Sequence, residues 1–120
     1  MFQIDGTTIK LTRADYAEIA VTIYDGTQVY NPSGSDTVTF AMKHATMKAG
    51  GKQYADTTPI ITKTIPIETM VLTMLPEDTA GLDFDTYKYD MEIVKDGKPD
   101  TFINNADFVI LPEVLDHVDG

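Results

Sequence analysis

Two histidines and two serines are the residues of this sequence whose types could support catalysis or metal binding. His44 follows a predicted strand and His117 lies near the end of the chain. Neither has a second ligand at the i+2 or i+4 spacing that is common in metal sites. Ser33 and Ser35 lie in an Asn-Pro-Ser-Gly-Ser turn that lacks the Gly-x-Ser-x-Gly pattern of a nucleophile elbow. We therefore expect exposed polar residues and a turn here, and no catalytic residue.

Carboxylates also occur in close pairs along the chain. The pairs are Glu77/Asp78, Asp83/Asp85 and Asp96/Asp100. Asp83 and Asp85 form the best candidate for calcium, but they lack the further ligands and the glycine spacing of an EF-hand loop. A glycosidase would need two carboxylates across a cleft, which the spacing alone does not indicate. The sequence predicts solvated turn acids, no metal, no cofactor and no enzymatic activity.

Composition limits the class of protein further. The chain has 120 residues, nine basic and nineteen acidic side chains, a formal net charge of −10 and no cysteine. A chain of this length forms one domain, and it cannot contain a disulfide framework. The acidic balance argues against nucleic-acid partners and anionic membrane surfaces, because both require clustered Lys and Arg.

The N-terminus contains no basic segment followed by an apolar one, as a signal peptide would. The longest apolar runs are also far shorter than the roughly 20 residues of a membrane-spanning helix. We therefore expect synthesis in the cytoplasm without a signal peptide.

Alternation with a period of two residues is the dominant pattern and predicts β-strands. In Tyr87 to Val94, the odd-numbered residues are apolar or aromatic and the even-numbered ones are polar up to Glu92. The other predicted strands are 8–12, 18–24, 36–43, 60–65, 70–75 and 107–111. The residues predicted to form the core are Ile19, Val21, Ile23, Val38, Phe40, Met42, Leu72, Met74, Tyr87, Tyr89, Met91 and Ile93.

Turn residues separate these strands. Asp25-Gly26 and Asp96-Gly97 suit tight hairpins, whereas 48–58 is predicted to be an exposed, mobile connection. The stretch 76–82 begins with Pro and contains early acids, as a short helical turn does. About seven short strands indicate an all-β antiparallel sandwich or barrel in residues 1–111, followed by a C-terminal tail in residues 112–120.

One motif favours the immunoglobulin-like form of sandwich. Asp83-x-Asp85-x-Tyr87-x-Tyr89 lies at the start of a late strand, just after the predicted helical turn. Immunoglobulin-like sandwiches place a tyrosine corner there, in which the phenol hydrogen-bonds to upstream backbone. Tyr87 is the candidate corner, and Tyr89 would then occupy the position of the second cysteine of antibody domains. The alternative is that Tyr87 is simply one more amphipathic core aromatic.

Two stretches in the expected order resemble a known family. Residues 9–19, Ile-Lys-Leu-Thr-Arg-Ala-Asp-Tyr-Ala-Glu-Ile, are similar to the opening of small prophage tail proteins. Leu75-Pro76-Glu77-Asp78-Thr79, then Tyr87-Lys88-Tyr89-Asp90, then Asp96-Gly97, follow the pattern of the same proteins. Together they resemble the immunoglobulin-like N-terminal domain of phage baseplate upper proteins. Ala14 replaces the glycine that is usual there, so we expect that turn to avoid positive φ.

The resemblance implies a non-enzymatic structural part of a phage or prophage tail or baseplate. Its partners would be other tail or baseplate proteins, with homo-oligomers in the assembly also open, and its location the virion. The alternative is a generic immunoglobulin-like binding module of the carbohydrate-binding or adhesin type. The lack of Trp and of a signal peptide favours the tail protein.

The predicted docking surface is one strand edge. It consists of Ile60, Ile61, Thr62, Lys63, Thr64 and Ile65. This β-branched stretch has Pro59 and Pro66 at its two ends, as edge strands often do. An edge strand could pair with a strand of a partner, whereas burial on both faces as a central strand is the alternative interpretation.

Overall fold

A computed structural model describes residues 2–5, 7–55 and 58–113 and shows an all-β, sandwich-like fold with one short helix. The strands are β1 (Phe2–Asp5), β2 (Thr8–Thr12), β3 (Ala17–Ala20), β4 (Ile23–Asp25), β5 (Gln28–Tyr30), β6 (Thr37–His44), β7 (Thr46–Ala49), β8 (Lys52–Ala55), β9 (Pro59–Ile65), β10 (Val71–Met74), β11 (Thr86–Lys95) and β12 (Lys98–Leu111). The helix is α1 (Pro76–Thr79).

The larger sheet has six strands in the order β1-β2-β12-β11-β6-β9. All its neighbours are antiparallel except β12 and β2, which run parallel. The predicted antiparallel sandwich therefore contains one parallel pair. The order β12-β11-β6-β9 is that of the G, F, C and C′ strands of variable-type immunoglobulin sandwiches.

The smaller sheet pairs β3 with β10, in the positions of strands B and E of such sandwiches. Side chains of both sheets belong to one buried cluster. All twelve residues predicted to form the core lie in it. Ile9, Leu11, Ile65, Phe108 and Ile110 also belong to this cluster. The core predicted from alternation is thus confirmed.

Four short strands outside these two sheets correct the predicted strand pattern. The strand predicted over 18–24 ends at Ala20, and Ile23–Asp25 instead pairs with Gln28–Tyr30. Alternation continued across this break because Val21 and Ile23 are both buried. Residues 46–49 and 52–55 form a second hairpin, so the predicted loop over 48–58 is wrong as far as Ala55. Residues 114–120 of the predicted tail lie outside the described residues.

The predicted turns are confirmed at the two Asp-Gly sites. Asp96 and Gly97 have φ of 53° and 73°, and they connect β11 directly to β12. Both positive values suit the tight turn that matches strand twist. Gly26 has a φ of 65° between β4 and β5. Glycine adopts this left-handed backbone without the steric cost that a Cβ adds.

The turn after β2 contradicts the prediction made for Ala14. Its φ is 64°, in the left-handed region that was expected to be avoided. The backbone N–H of Ala14 donates to Oγ1 of Thr79 at 2.8 Å, and the N–H of Asp15 donates to the carbonyl of Thr12 at 3.1 Å. Thr79 is fully buried at the end of α1. Tertiary hydrogen bonding therefore holds an alanine in a conformation that costs about 1–2 kcal/mol.

Arg13 joins three separate parts of the chain beside this turn. Its guanidinium donates to Oε1 of Glu113 at 2.8 Å and to the carbonyl of Leu82 at 3.3 Å. The same group lies 4.2 Å from the ring centre of Phe84, in cation–π contact. The end of β2, the segment after α1 and the end of β12 are thereby held together at one end of the sandwich.

Candidate functional site

The predicted docking strand lies at an edge of the larger sheet. Strand β9 pairs with β6 and is the last strand in the sheet order, within the described residues. Thr62 and Thr64 are exposed, whereas Ile65 is buried. These residues therefore form an edge strand and not a central one. Whether this edge binds a partner stays a prediction.

The β9 edge carries a charge that points toward the core side of the sheet. Lys63 is the cross-strand neighbour of Phe40, which is fully buried, so the two side chains share a face. Nζ of Lys63 lies 2.6 Å from Oδ2 of Asp78, and that oxygen also accepts the N–H of Leu75 at 2.7 Å. An inward-pointing charge on an edge strand disfavours extension of the sheet by another strand. The outer side of β9 thus has no partner strand among the described residues, while the charge of Lys63 on its core-facing side disfavours pairing there.

Tyr87 makes the hydrogen bond that defines a tyrosine corner. Its hydroxyl donates to the carbonyl of Asp83 at 2.9 Å, four residues upstream. The ring is buried and lies 5.4 Å from the ring of His44. Burial raises the pKa of Tyr87, and the carboxylates of Asp83 and Asp85 raise it further. The corner fixes the chain between α1 and β11, and it is structural.

Tyr89 fills the centre of the core two residues later. Its ring lies 5.5 Å from Phe40 and 6.1 Å from Phe108, and its hydroxyl donates to the carbonyl of Thr7. Burial raises the pKa of Tyr89 to about 12. The phenol therefore links β11 to the residue just before β2, two strands away in the same sheet.

A second strand edge was missed by the sequence analysis. β3 pairs with β10 on one side, and no strand of the described residues pairs with its other side. The N–H of Val21 donates to the carbonyl of Met70, in register with the β3–β10 ladder. Because peptide groups alternate in direction along an antiparallel strand, those of Glu18 and Ala20 point away from β10. These groups form the free edge of β3.

An apolar groove lies beside this free edge. Its volume is about 390 Å³. It is lined by Thr7, Ile9, Ile19, Ala20, Val21, Thr22, Tyr24, Tyr89, Met91, Phe102 and Ile103. Met91 and Tyr89 belong to the buried core and form the floor, while Tyr24 is 64% exposed at the mouth. We call this feature the β3 groove.

The opposite wall of the β3 groove is also an unpaired strand edge. β12 pairs with β2 only over 108–111, although its ladder with β11 begins at Lys98. The first part of β12 therefore has a strand partner on one side only, within the described residues. Asn105 has a φ of 55°, and its N–H donates to Oδ1 of Asp90 at 2.6 Å. This irregularity separates the paired and unpaired parts of β12.

The residues considered for catalysis are not brought together. Ser33 belongs to a turn closed by Asp36, whose carboxylate accepts the Ser33 N–H at 3.1 Å. Oδ1 of Asp85 accepts the N–H of Thr86 at 2.8 Å, which is the role of a strand-entry residue. In the ranges 2–5, 7–55 and 58–113, no three side chains among His, Asp and Glu cluster as metal ligands. His117 lies outside those ranges.

Among the described residues, no helix has the length and apolar character needed to cross a membrane. The comparisons with known proteins add no relative, because no family model, curated protein or solved structure matches this chain.

Proposed function

We propose that this protein is a non-enzymatic structural component of a phage or prophage tail or baseplate, which acts by docking to other proteins of the assembly. The observation that carries the proposal is a packed sandwich with two strand edges, at β9 and at β3, that pair with no other strand of the described residues. Strand edges present unpaired N–H and C=O groups, which bind an extended partner by main-chain hydrogen bonds. The resemblance of 9–19 and of 75–97 to prophage tail proteins supports the choice of assembly.

The first test is physical association with phage particles. Particles released from the source cell after prophage induction are purified by density gradient and analysed by mass spectrometry. A structural component copurifies with the tail proteins at a fixed ratio and resists a high-salt wash. If the chain stays in the soluble fraction while the tails form normally, the proposal is wrong.

The second test asks whether the β9 edge is used. Thr62→Pro removes a backbone N–H, whereas Thr62→Lys retains it and adds an outward charge. If β9 docks a partner strand, we expect Thr62→Pro to reduce incorporation into particles far more than Thr62→Lys does. Circular dichroism and thermal melts of the isolated chain show whether each variant is folded. Equal incorporation of two folded variants would place docking at another surface.

A generic immunoglobulin-like binding module is the second candidate, and two exposed aromatics favour it. Tyr24 is 64% exposed and Tyr16 is 54% exposed, and aromatic faces of this kind stack on ligands such as sugars. Glycan-array binding that is lost in Tyr24→Ala, without copurification with tails, would favour this function over the first.

A further inference from the structure

We propose that the β3 groove accepts an extended segment of a different protein, with apolar side chains at alternate positions and Lys or Arg at its ends. The inference rests on the proposed docking function and names the site and the chemistry of the partner. The β3 groove differs from the predicted β9 edge, since β9 is at the far end of the other sheet.

The backbone of β3 provides the first argument. Ile19 and Val21 direct their peptide groups to β10, so the N–H and C=O of Ala20 face the groove side. The residues that line the β3 groove include Ile19 to Thr22 but none of β10, which places the groove on that free side. A strand that entered here would extend the β3–β10 sheet by main-chain hydrogen bonds.

The side chains of the β3 groove provide the second argument. Those of its lining residues that the structure describes have apolar, aromatic or threonine side chains, and none of them is charged. An extended segment directs alternate side chains to one face, so every second residue would enter toward Tyr89 and Met91. The peptide edge of β3 spans four residues, or about 13 Å, which fits about four residues of an extended segment. Phe102 and Ile103 of β12 also line the groove.

Charge indicates which protein provides the segment. The exposed acids nearest in sequence to the lining residues are Glu18, Asp25 and Asp100, and the whole chain carries −10. This negative charge attracts Lys or Arg that flank an apolar segment, and it repels a second copy of the same acidic chain. A different, basic-flanked segment therefore fits better than self-association.

A synthetic peptide tests this directly. The probe is a fluorescein-labelled Lys-Val-Thr-Val-Thr-Val-Lys, and the comparison peptide replaces both Lys with Glu. Binding to the full 120-residue chain is measured by fluorescence anisotropy at low salt. We expect a Kd near or below about 100 µM for the Lys peptide and at least about tenfold weaker binding of the Glu peptide.

Two proline variants localise the binding. Ala20→Pro removes the N–H on the free edge of β3, and the matched control Thr62→Pro removes one in β9, away from the groove. We expect about tenfold weaker binding for Ala20→Pro and less than about twofold change for Thr62→Pro. Thermal melts establish that each variant is folded. If Ala20→Pro does not fold, hydrogen exchange of the Ala20 amide with and without the peptide gives the same answer, because the bound strand must protect it.

Several outcomes would overturn the inference. They are no binding at 1 mM peptide (about ten times the expected Kd), equal binding by folded Ala20→Pro, an unprotected Ala20 amide, and loss of binding in folded Thr62→Pro alone. A dimer in sedimentation that Ala20→Pro abolishes would show that a second copy is the occupant. Copurification with particles without peptide binding would reject the β3 groove and leave the proposed function standing. Failure of copurification with peptide binding intact would reject the tail assembly only.

Discussion

Thr79 offers the sharpest test of how the turn after β2 is held against α1. It is the polar residue with a fully buried side chain among the described residues, and its Oγ1 accepts the N–H of Ala14 at 2.8 Å. Thr79→Val replaces the hydroxyl by a methyl of similar size. Packing is retained, but the Ala14 N–H loses its acceptor next to the end of β2.

The expected cost follows from the loss of the acceptor of a partly buried hydrogen bond. A donor left unpaired in such a position costs about 1–3 kcal/mol. For a chain of 120 residues, 1 kcal/mol corresponds to about 4 °C in Tm. We therefore expect Thr79→Val to lower Tm by about 4–12 °C.

The assay combines urea unfolding with hydrogen exchange at the Ala14 amide. The matched control, Thr79→Ser, retains the hydroxyl and loses one methyl, at a cost of about 1 kcal/mol. We expect the Ala14 amide to exchange faster in Thr79→Val and at the wild-type rate in Thr79→Ser. A loss below about 0.5 kcal/mol, together with an unchanged Ala14 amide, would refute the assigned role of this hydrogen bond.

Three further predictions concern strain, pH and metal. Ala14→Gly removes left-handed strain of about 1–2 kcal/mol and adds an entropic cost of about 0.5–1 kcal/mol, so urea unfolding should show a gain of about 0–1.5 kcal/mol in stability; a clear loss would contradict it. The pKa of Tyr89 is about 12 in the folded chain and near 10 in the unfolded chain. The contribution of its protonated phenol to the free energy of unfolding is therefore complete below pH 10. About 2 kcal/mol of stability should be lost by pH 12. Denaturant melts of Tyr89→Phe should not show this loss. Thermal melts with and without EDTA should coincide; a fall of several degrees would indicate a metal ion at Asp83 and Asp85.

The strands that alternate most regularly could be predicted from the sequence. The alternation of Tyr87, Tyr89, Met91 and Ile93 required one buried face, and all four are buried in β11. The corner bond of Tyr87 was also predictable, because it joins residues four positions apart after a helical turn. Such features depend on local order along the chain, which the sequence contains directly.

The conformation of Ala14 could not be predicted by local rules. An alanine with positive φ is disfavoured by its own sterics, and the hydrogen bond that compensates comes from Thr79, 65 residues away. The break after Ala20 has a similar origin. Val21 and Ile23 are both buried and continue the alternation, but Ile23 pairs with Tyr30 in a separate hairpin, so apolar pattern and strand pairing separate at this point.

The same limit explains why one strand edge was predicted and the other was missed. Pro59 and Pro66 indicate an edge from sequence alone, because proline is tolerated where a ladder has no partner. β3 has no such residue, and it becomes an edge because β1 pairs with β2 in the other sheet. Had β1 paired with β3, the peptide groups of Ala20 would have been used within the fold. The β3 groove is therefore a consequence of how the N-terminal strands are distributed between two sheets, and only the three-dimensional arrangement reveals it.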